Sequence, residues 1–326
     1  MQFREYAKLC HFQTASQIFA IPIIGALATQ HPVTALQIAV LFGIGLLVNI
    51  FGFTHNEYLD VKIDAASDAL STKPLVKGTV PLRHAFILAY VSFILAFVLT
   101  IFFFTKPLPI AVFSLSIALA AIYNRFGKSY IGVDFLLAAW AFFLCLFGAF
   151  AVAGYINEYV RIFGILFLFQ WWYANIVEGG VKDAEHDFKI GVRNTTTAWG
   201  VRVKKDKLIL PTSYKIFGLV LSFGFVFVAV SVFIIYDLPS YFWQLTLIYV
   251  LCGAIIICAF ILLNMKRFDR NLVLKLIIIC EFSKAFLPPL ILISIIGLSA
   301  LLLVVFMFCW SAFFMLYEYG TSPPSI

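Results

Sequence analysis

The sequence predicts an all-α membrane protein of nine or ten transmembrane helices, and its composition, its long apolar blocks and its charge pattern support this fold class. Hydrophobic residues make up 63% of the 326 residues and charged residues 12%, whereas soluble domains hold roughly 45–50% apolar and about 25% charged residues. A helix needs about 20 apolar residues to cross a bilayer. The blocks 35–54, 85–105, 130–154 and 241–263 reach that length without Lys or Arg.

Eight spans are predicted before residue 264, and the rest of the chain adds one or two more. They lie near residues 12–29, 35–54, 84–104, 108–124, 130–154, 160–178, 214–236 and 241–263. The stretch 272–317 is long enough for one span plus an interfacial helix, or for two spans. Pro288 and Pro289 favour a break within it, because proline removes a backbone donor and clashes with the preceding turn.

Lys and Arg are concentrated in alternate loops. The N-terminus and the loops after the second, fourth, sixth and eighth predicted spans hold 20 of the 23 Lys and Arg, while the opposite loops hold Lys106 and Arg161. The positive-inside rule therefore places the basic loops in the cytoplasm, in a bacterial-type inner membrane. Topology and attraction to anionic lipid account for the net charge of +7, so we expect no nucleic-acid partner.

The acidic residues follow a different pattern. Half of the 16 Asp and Glu lie in two windows, 57–68 and 178–187, on the same predicted cytoplasmic face. Acidic residues contribute little to topology, so their clustering needs another explanation. Each window follows the second helix of a four-helix group, which predicts two half-repeats (about 10–125 and 130–263) around a central cavity within one domain.

The spacing of these acids is typical of metal ligands. The first window reads N-x-x-x-D-x-x-x-D and the second D-x-x-x-D, and side chains four residues apart share one helix face. Magnesium prefers oxygen ligands and commonly takes one or two carboxylates, with waters and phosphates completing its shell. A lone D-x-x-x-D is more often a solvated loop, but two copies at equivalent places favour a magnesium site. The predicted ligands are Asn56, Asp60, Asp64, Asp183 and Asp187; Asp68 is interpreted as a solvated flank.

With these motifs the sequence resembles the UbiA superfamily of intramembrane prenyltransferases, which includes 4-hydroxybenzoate polyprenyltransferase, over roughly residues 1–263. Segment 56–64 is similar to the first motif of the family, and 183–195 to its second motif with a basic tail. Segment 72–78 resembles a family loop with a basic residue, a proline and a glycine. Tyr123 and Lys128 fall where the family places a tyrosine and a basic residue.

The resemblance implies Mg²⁺-dependent ionisation of an allylic prenyl diphosphate and transfer of the prenyl group to an aromatic or lipid acceptor within the membrane. The implied catalytic residues are the metal-binding aspartates Asp60, Asp64, Asp183 and Asp187. The side chains expected to bind the diphosphate directly are Asn56, Lys77, Tyr123, Lys128 and Arg193, since cations stabilise the charge that grows on the leaving group. Trp171, Trp172 and Tyr173 either face the allylic cation or serve packing alone.

The acceptor is left open. Family members that prenylate 4-hydroxybenzoate carry an arginine and a proline in a segment that opens the first helix, and here residues 8–14 contain neither. This argues against a benzoate and leaves a naphthoate, another aromatic compound, a lipid glycerol phosphate or a tetrapyrrole side chain.

Two other function classes stay open: a membrane transporter or channel, and a catalytically inactive scaffold of the same family. A transporter predicts ionisable residues in the middle of spans, where the sequence shows few. The polar residues inside predicted spans have two interpretations each. Asn49 and Asn175 either line the cavity or hydrogen-bond between helices. Asp134 either faces the cavity or begins its helix.

Overall fold

The computed structural model describes residues 2–66 and 70–320, and most of them are helical. The α-helices, in chain order, are α1 (Gln2–Leu9), α2 (Ala15–Ala28), α3 (Ala35–Asp64), α4 (Leu82–Phe103), α5 (Pro107–Phe126), α6 (Asp134–Val152), α7 (Glu158–Tyr173), α8 (Gly180–Lys182), α9 (Ala184–Ile190), α10 (Thr195–Ala198), α11 (Thr212–Ile235), α12 (Phe242–Asn264), α13 (Arg270–Ile296) and α14 (Leu301–Tyr319). An antiparallel hairpin of β1 (Arg202–Lys204) and β2 (Lys207–Ile209) lies between α10 and α11.

Nine helices within the described ranges are long and apolar enough to cross a membrane. The pair Phe3–Leu9 and Phe12–Ala28, bent by 56°, adds a tenth if it counts as one crossing. The predicted class, an all-α membrane protein with nine or ten spans, is therefore confirmed. The division into two half-repeats around a cavity stays a prediction.

The helix that carries the first acidic motif is longer than predicted. Thr34 caps its start in a capping box with Gln37, and the helix continues to Asp64 rather than ending at residue 54. Polarity alone suggested an early end, but Tyr58 and Val61 on these last turns pack against a buried apolar cluster. Packing against that cluster favours continuation of the helix, so the first motif is helical and does not lie in a loop.

The chain divides into two compact units. The first contains the described residues of 1–125, 143–160 and 302–326, with α2 packed on α3 and α3 on α4. Ser16 and Ser311 are hydrogen-bonded at 2.7 Å, and Trp310 Nε1 donates to the Phe12 carbonyl at 2.7 Å. These bonds attach α14 to the start of α2.

The second unit contains residues 126–142 and 161–301, with α11 and α13 packed on α12. The predicted break at Pro288 and Pro289 is wrong, because α13 runs without interruption from Arg270 to Ile296. Membrane helices tolerate proline where neighbouring groups satisfy the freed carbonyls, and both prolines are buried. The helix ends at Gly297 instead, whose φ of 80° is accessible to glycine at little cost.

Candidate active site

The first acidic motif occupies the last three turns of α3. Asp60 and Asp64 are 7% and 1% exposed, and Glu57 beside them is 6% exposed. Asn56, one turn before Asp60, is half-buried. A carboxylate is costly to bury unless it is paired with a cation or bound to a metal, so this helix face requires positive charge. Asp68, predicted as a flank, lies outside the described residues.

Lys73 supplies a cation to this face. Its Nζ lies 2.7 Å from Glu57 Oε1 and 2.8 Å from Asp64 Oδ2, and His11 Nε2 lies 3.6 Å from Glu57. Burial alone would lower the pKa of Lys73, but the charges of Glu57 and Asp64 outweigh it and raise the pKa above its usual value of 10.5. The ammonium group therefore stays charged between the two carboxylates.

The loop that carries Lys73 is held by apolar packing and a tight turn. Leu75 and Val80 join Leu9 and Ala85 in a buried cluster. The Lys77 amide donates to the Lys73 carbonyl at 2.9 Å. Lys77, the predicted phosphate ligand of this loop, has an exposed side chain. The inward-facing cation is thus Lys73, which sequence reasoning did not select.

A hydrogen-bonded contact attaches the end of α5 to α3 above the motif. Asn124 Nδ2 donates to the Gly52 carbonyl at 3.0 Å and lies 3.3 Å from His55 Nδ1. Gly52 is one turn before Asn56. Tyr123, next to Asn124, is half-buried at this end of the first unit, and Lys128, also half-buried, belongs to the second unit.

The second motif begins where the helix geometry changes. Residues 174–179 form a π-helical segment between α7 and α8, and Asp183 is the residue directly before α9. The Asp183 side chain is 34% exposed, with Lys182 Nζ 4.0 Å from it. Asp187 is 5% exposed, and its Oδ2 accepts a hydrogen bond from Asn194 Nδ2 at 2.7 Å. The motif therefore offers one accessible carboxylate and one that is buried and oriented.

The π-helical segment is supported by hydroxyl groups from two other elements. Tyr214 Oη donates to the Ile176 carbonyl at 2.7 Å, and Thr196 Oγ1 donates to it at 3.2 Å. Gly180 allows the approach of Thr196, because a Cβ at this position would lie 2.4 Å from Oγ1. The segment after the second motif thus secures the helix before it. Arg193, predicted to bind phosphate, is exposed in this segment.

The polar residues within spans bond to other helices and segments. Asn175 Nδ2 donates to Asp134 Oδ1 at 2.9 Å, and Thr195 Oγ1 donates to Asp134 Oδ2. Asp134 begins α6, so it connects that start to the π-helical segment. Asn49 Nδ2 donates to the Cys10 carbonyl at 2.7 Å. These bonds match the hydrogen-bonding interpretation of both asparagines.

The three aromatic residues before the motif are packed. Trp171 lies edge-on to Trp140 with centroids 5.0 Å apart, and Trp172 lies edge-on to Phe217 at 5.4 Å. The Tyr173 ring lies 4.5 Å from a cation, the Lys284 ammonium. Their contacts are those of packing, and a role in facing an allylic cation stays a prediction.

An ionic cluster inside the spans escaped sequence reasoning. Glu178, grouped by sequence with the acids of the second motif, lies in the π-helical segment and pairs with Lys284 at 3.0 Å. Lys284 also pairs with Glu281 at 2.5 Å. The expectation that spans hold few ionisable residues is therefore wrong for this unit. The sequence contained one signal, the i,i+3 pair of Glu281 and Lys284 within an apolar stretch.

The two motifs fit magnesium because of the type of their donor atoms and because their buried carboxylates require a cation. Their ligands are carboxylate and amide oxygens, which suit this ion, and the Lys73 ammonium shows that the α3 face accepts a cation. Within the described residues, no group of three or more His, Cys, Asp and Glu is arranged to hold a metal ion. Magnesium commonly takes one or two carboxylates and completes its shell with water and phosphate.

Comparison with protein families identifies the chain. Residues 18–273 match the model of the UbiA prenyltransferase family, which covers both acidic motifs. The chain belongs to the UbiA prenyltransferase family. The predicted resemblance is thereby confirmed, and the matched region ends ten residues beyond the expected 263.

Curated relatives of this UbiA-family chain match it over part of its length. The 4-hydroxybenzoate octaprenyltransferase of Alkalilimnicola ehrlichii (strain ATCC BAA-1101 / DSM 17681 / MLHE-1) is 28% identical over 174 residues, which cover 51% of this chain and 56% of the relative. That of Vibrio atlanticus (strain LGP32) is 27% identical over 177 residues, 53% and 60% of the two chains. The chain thus spans little more than half the length of these relatives.

Solved structures share the fold over most of the chain. A UbiA homolog from Aeropyrum pernix K1 aligns with a TM-score of 0.67 and 18% identity, covering 86% of this chain and 96% of the homolog. A structure of digeranylgeranylglyceryl phosphate synthase aligns with a TM-score of 0.64 and 20% identity, covering 91% and 99%. A UbiA homolog from Archaeoglobus fulgidus, bound to GPP and Mg²⁺, aligns at 0.60 and 18% identity, covering 94% and 99%.

Proposed function

We propose that this protein catalyses the Mg²⁺-dependent transfer of a prenyl group from an allylic prenyl diphosphate to an aromatic or lipid acceptor within the membrane. The observation that carries the proposal is the carboxylate face of α3, where two buried acids already hold an ammonium group. Family membership supports it, as do the names of the curated relatives and the homolog bound to GPP and Mg²⁺.

Each motif would hold magnesium for binding of a diphosphate. Asn56, Asp60 and Asp64 from the first motif and Asp183 and Asp187 from the second would hold Mg²⁺. Bound magnesium neutralises the charge of the diphosphate as it leaves. The residues of the chain orient and hold the substrate: Asn194 fixes the direction of Asp187, and Lys73 pairs with the Glu57 and Asp64 carboxylates of α3.

Basic and polar residues around the motifs would bind the diphosphate directly. Lys77 and Arg193 have exposed side chains, while Tyr123 and Lys128 are half-buried. A cation near the leaving group stabilises the charge that develops as the carbon–oxygen bond breaks. Lys73 joins these candidates, since its ammonium group lies on the same face of α3 as the proposed magnesium ligands. The basic loops are proposed to face the cytoplasm, as the positive-inside rule predicts.

Binding of geranyl diphosphate to the purified protein, with Mg²⁺ or with EDTA, tests the proposal. Asp60→Ala and Asp183→Ala should each weaken Mg²⁺-dependent binding by at least about tenfold, a loss typical even of outer-shell partners of a metal. Glu185→Ala is the matched control, because Glu185 lies between the two aspartates of the second motif but forms an exposed ion pair with Lys189. Binding that ignores Mg²⁺ and both aspartates would remove the enzyme interpretation.

Transfer is measured separately from binding. Radiolabelled allylic diphosphates of several lengths, supplied with aromatic and lipid acceptors, should give a labelled product that requires Mg²⁺. If the protein binds the prenyl diphosphate but releases no diphosphate with any acceptor, the result would indicate the catalytically inactive scaffold. Residues 8–14 lack arginine and proline, so we expect 4-hydroxybenzoate to be a poorer acceptor than naphthoate or lipid alternatives.

A further inference from the structure

Three charged side chains meet inside the spans of the second unit. Lys284 Nζ lies 3.0 Å from Glu178 Oε2 and 2.5 Å from Glu281 Oε1. The side chains of Lys284 and Glu178 are 1% and 3% exposed, and that of Glu281 is 20% exposed. Ionisable residues at such positions are costly in a membrane and commonly serve a function. We refer to these three residues as the buried triad.

The buried triad is not balanced if every member is ionised. Two carboxylates and one ammonium leave one negative charge in a low-dielectric environment, where an uncompensated charge is strongly unfavourable. In addition, Glu178 Oε1 is buried without a hydrogen-bond donor. Its neighbour is the carboxyl group of Glu281, with which it forms a hydrogen bond once one of the two carries a proton. One proton therefore removes the excess charge and allows a hydrogen bond between the two carboxyl groups.

The surroundings of the buried triad are aromatic and weakly polar. The Tyr173 ring lies 4.5 Å from Lys284 Nζ, which stabilises the ammonium form. Its hydroxyl is buried without a hydrogen-bond partner. The other titratable groups that interact with the triad from neighbouring positions are Cys258 on α12 and Cys280 on α13, and Tyr214 on α11 interacts with Tyr173. Among these carboxyl, thiol and phenol groups, Glu178 and Glu281 are the ones ordinarily ionised at neutral pH, so theirs is the charge that a bound proton would neutralise.

We propose that Glu178, Glu281 and Lys284 form an intramembrane proton-binding site, in which the two carboxyl groups share one proton and Lys284 balances the remaining charge. Glu281, the most exposed member, is the point at which the proton exchanges with the surroundings. A proton fits better than a metal cation, because a metal ion would lie beside the ammonium group of Lys284. The site is independent of the proposed prenyl transfer, and its protonation is measured without substrate.

Infrared spectroscopy of the purified protein at pH 7.5 tests the site, since protonated carboxyl groups absorb apart from carboxylates. Compared with either variant, the wild type should show one additional carboxylic-acid equivalent, which Glu178→Gln and Glu281→Gln each remove. Each variant leaves one carboxylate beside Lys284, so its triad is neutral without a proton and should fold. Glu158→Gln is the matched control, because Glu158 begins α7 and is exposed, and it should leave the signal unchanged.

Two further measurements decide the outcome. Lys284→Met should add one further carboxylic-acid equivalent to the wild-type signal, because both carboxyl groups of the triad must then be protonated. If either glutamine variant fails to fold, the other carries the test, and a pH titration of the wild-type signal requires no variant. A wild-type protein with only carboxylate absorption from Glu178 and Glu281 at pH 7.5 would overturn the proposal. Loss of the acid signal on addition of sodium would overturn it in favour of a metal cation.

Discussion

Removal of the Lys73 ammonium group is the sharpest perturbation of the first motif. In Lys73→Met the apolar stem is kept, but Glu57 and Asp64 lose the cation that lies 2.7 and 2.8 Å from them. Both acids are buried, at 6% and 1% exposure. We therefore expect the variant to be less stable than the wild type in the absence of magnesium.

The size of the loss follows from burial. Breaking a buried ion pair by removing one partner costs about 3–5 kcal/mol. The Lys73 side chain is 20% exposed, so water compensates part of the loss and we expect roughly 2–4 kcal/mol. At about 2–4 °C per kcal/mol, this lowers the melting temperature by roughly 4–16 °C. Magnesium should restore part of the lost stability, because an ion that binds only the folded state stabilises that state.

Thermal unfolding in detergent, with EDTA or with Mg²⁺, measures both effects. Lys77→Met is the matched control, since Lys77 lies four residues later in the same turn and is exposed. Equal melting temperatures for the two variants in EDTA would refute the stabilising role of Lys73. A destabilised Lys73→Met that magnesium does not restore would refute the view that the α3 carboxylates accept this metal.

Further predictions concern the same loop and the second motif. The pKa of Lys73 is raised, so the stability that its ammonium group contributes is complete below the usual pKa of lysine and is lost only as pH rises through the raised value. The difference in melting temperature between wild type and Lys73→Met should therefore be constant from about pH 7 to 10. Asn194→Ser keeps a good helix cap but loses the 2.7 Å hydrogen bond to Asp187. Mg²⁺-dependent binding of geranyl diphosphate, measured at equilibrium, should therefore weaken about tenfold. Unchanged binding would show that Asp187 does not need this hydrogen bond. Gly180→Ala should lower the stability by about 1–3 kcal/mol through overpacking, because its Cβ would lie 2.4 Å from Thr196 Oγ1. In melting curves, addition of Thr196→Ala should recover part of the lost stability. An unchanged melting temperature in the single variant would contradict the close packing.

The fold class could be predicted because apolar length and basic-loop asymmetry act along the chain and need no tertiary information. Helix ends depend on contacts, and there the predictions failed. Proline suggested a break in α13 at Pro288, but both prolines are buried in a continuous helix. Charge suggested an end of α3 near residue 54, but Tyr58 and Val61 pack on an apolar cluster that sustains the helix to Asp64.

The sequence predicted the part of the candidate site that depends on residue spacing within one helix. It did not predict the part that depends on how the following loop folds against that helix. Asn56, Asp60 and Asp64 could be recognised as one face because four-residue spacing fixes their direction. Lys73 and Lys77 are equivalent in composition and close in sequence. Only the turn between them, and the packing of Leu75, directs the first inward and leaves the second exposed.

Glu178 shows how a change of helix geometry separates residues that a sequence window groups together. It lies five residues before Asp183, yet the π-helical segment 174–179 intervenes, and Glu178 pairs with Lys284 inside a span while Asp183 begins α9. A π-bulge shifts the phase of the residues on either side of it, so acids close in sequence serve different surroundings. The buried triad also means that a lack of ionisable residues in spans no longer argues against transport. Prenyl transfer and proton binding can instead be distinguished by their ligands. Asp60 and Asp183 variants should alter Mg²⁺-dependent diphosphate binding, whereas Glu178 variants should alter a carboxylic-acid signal that requires neither diphosphate nor Mg²⁺.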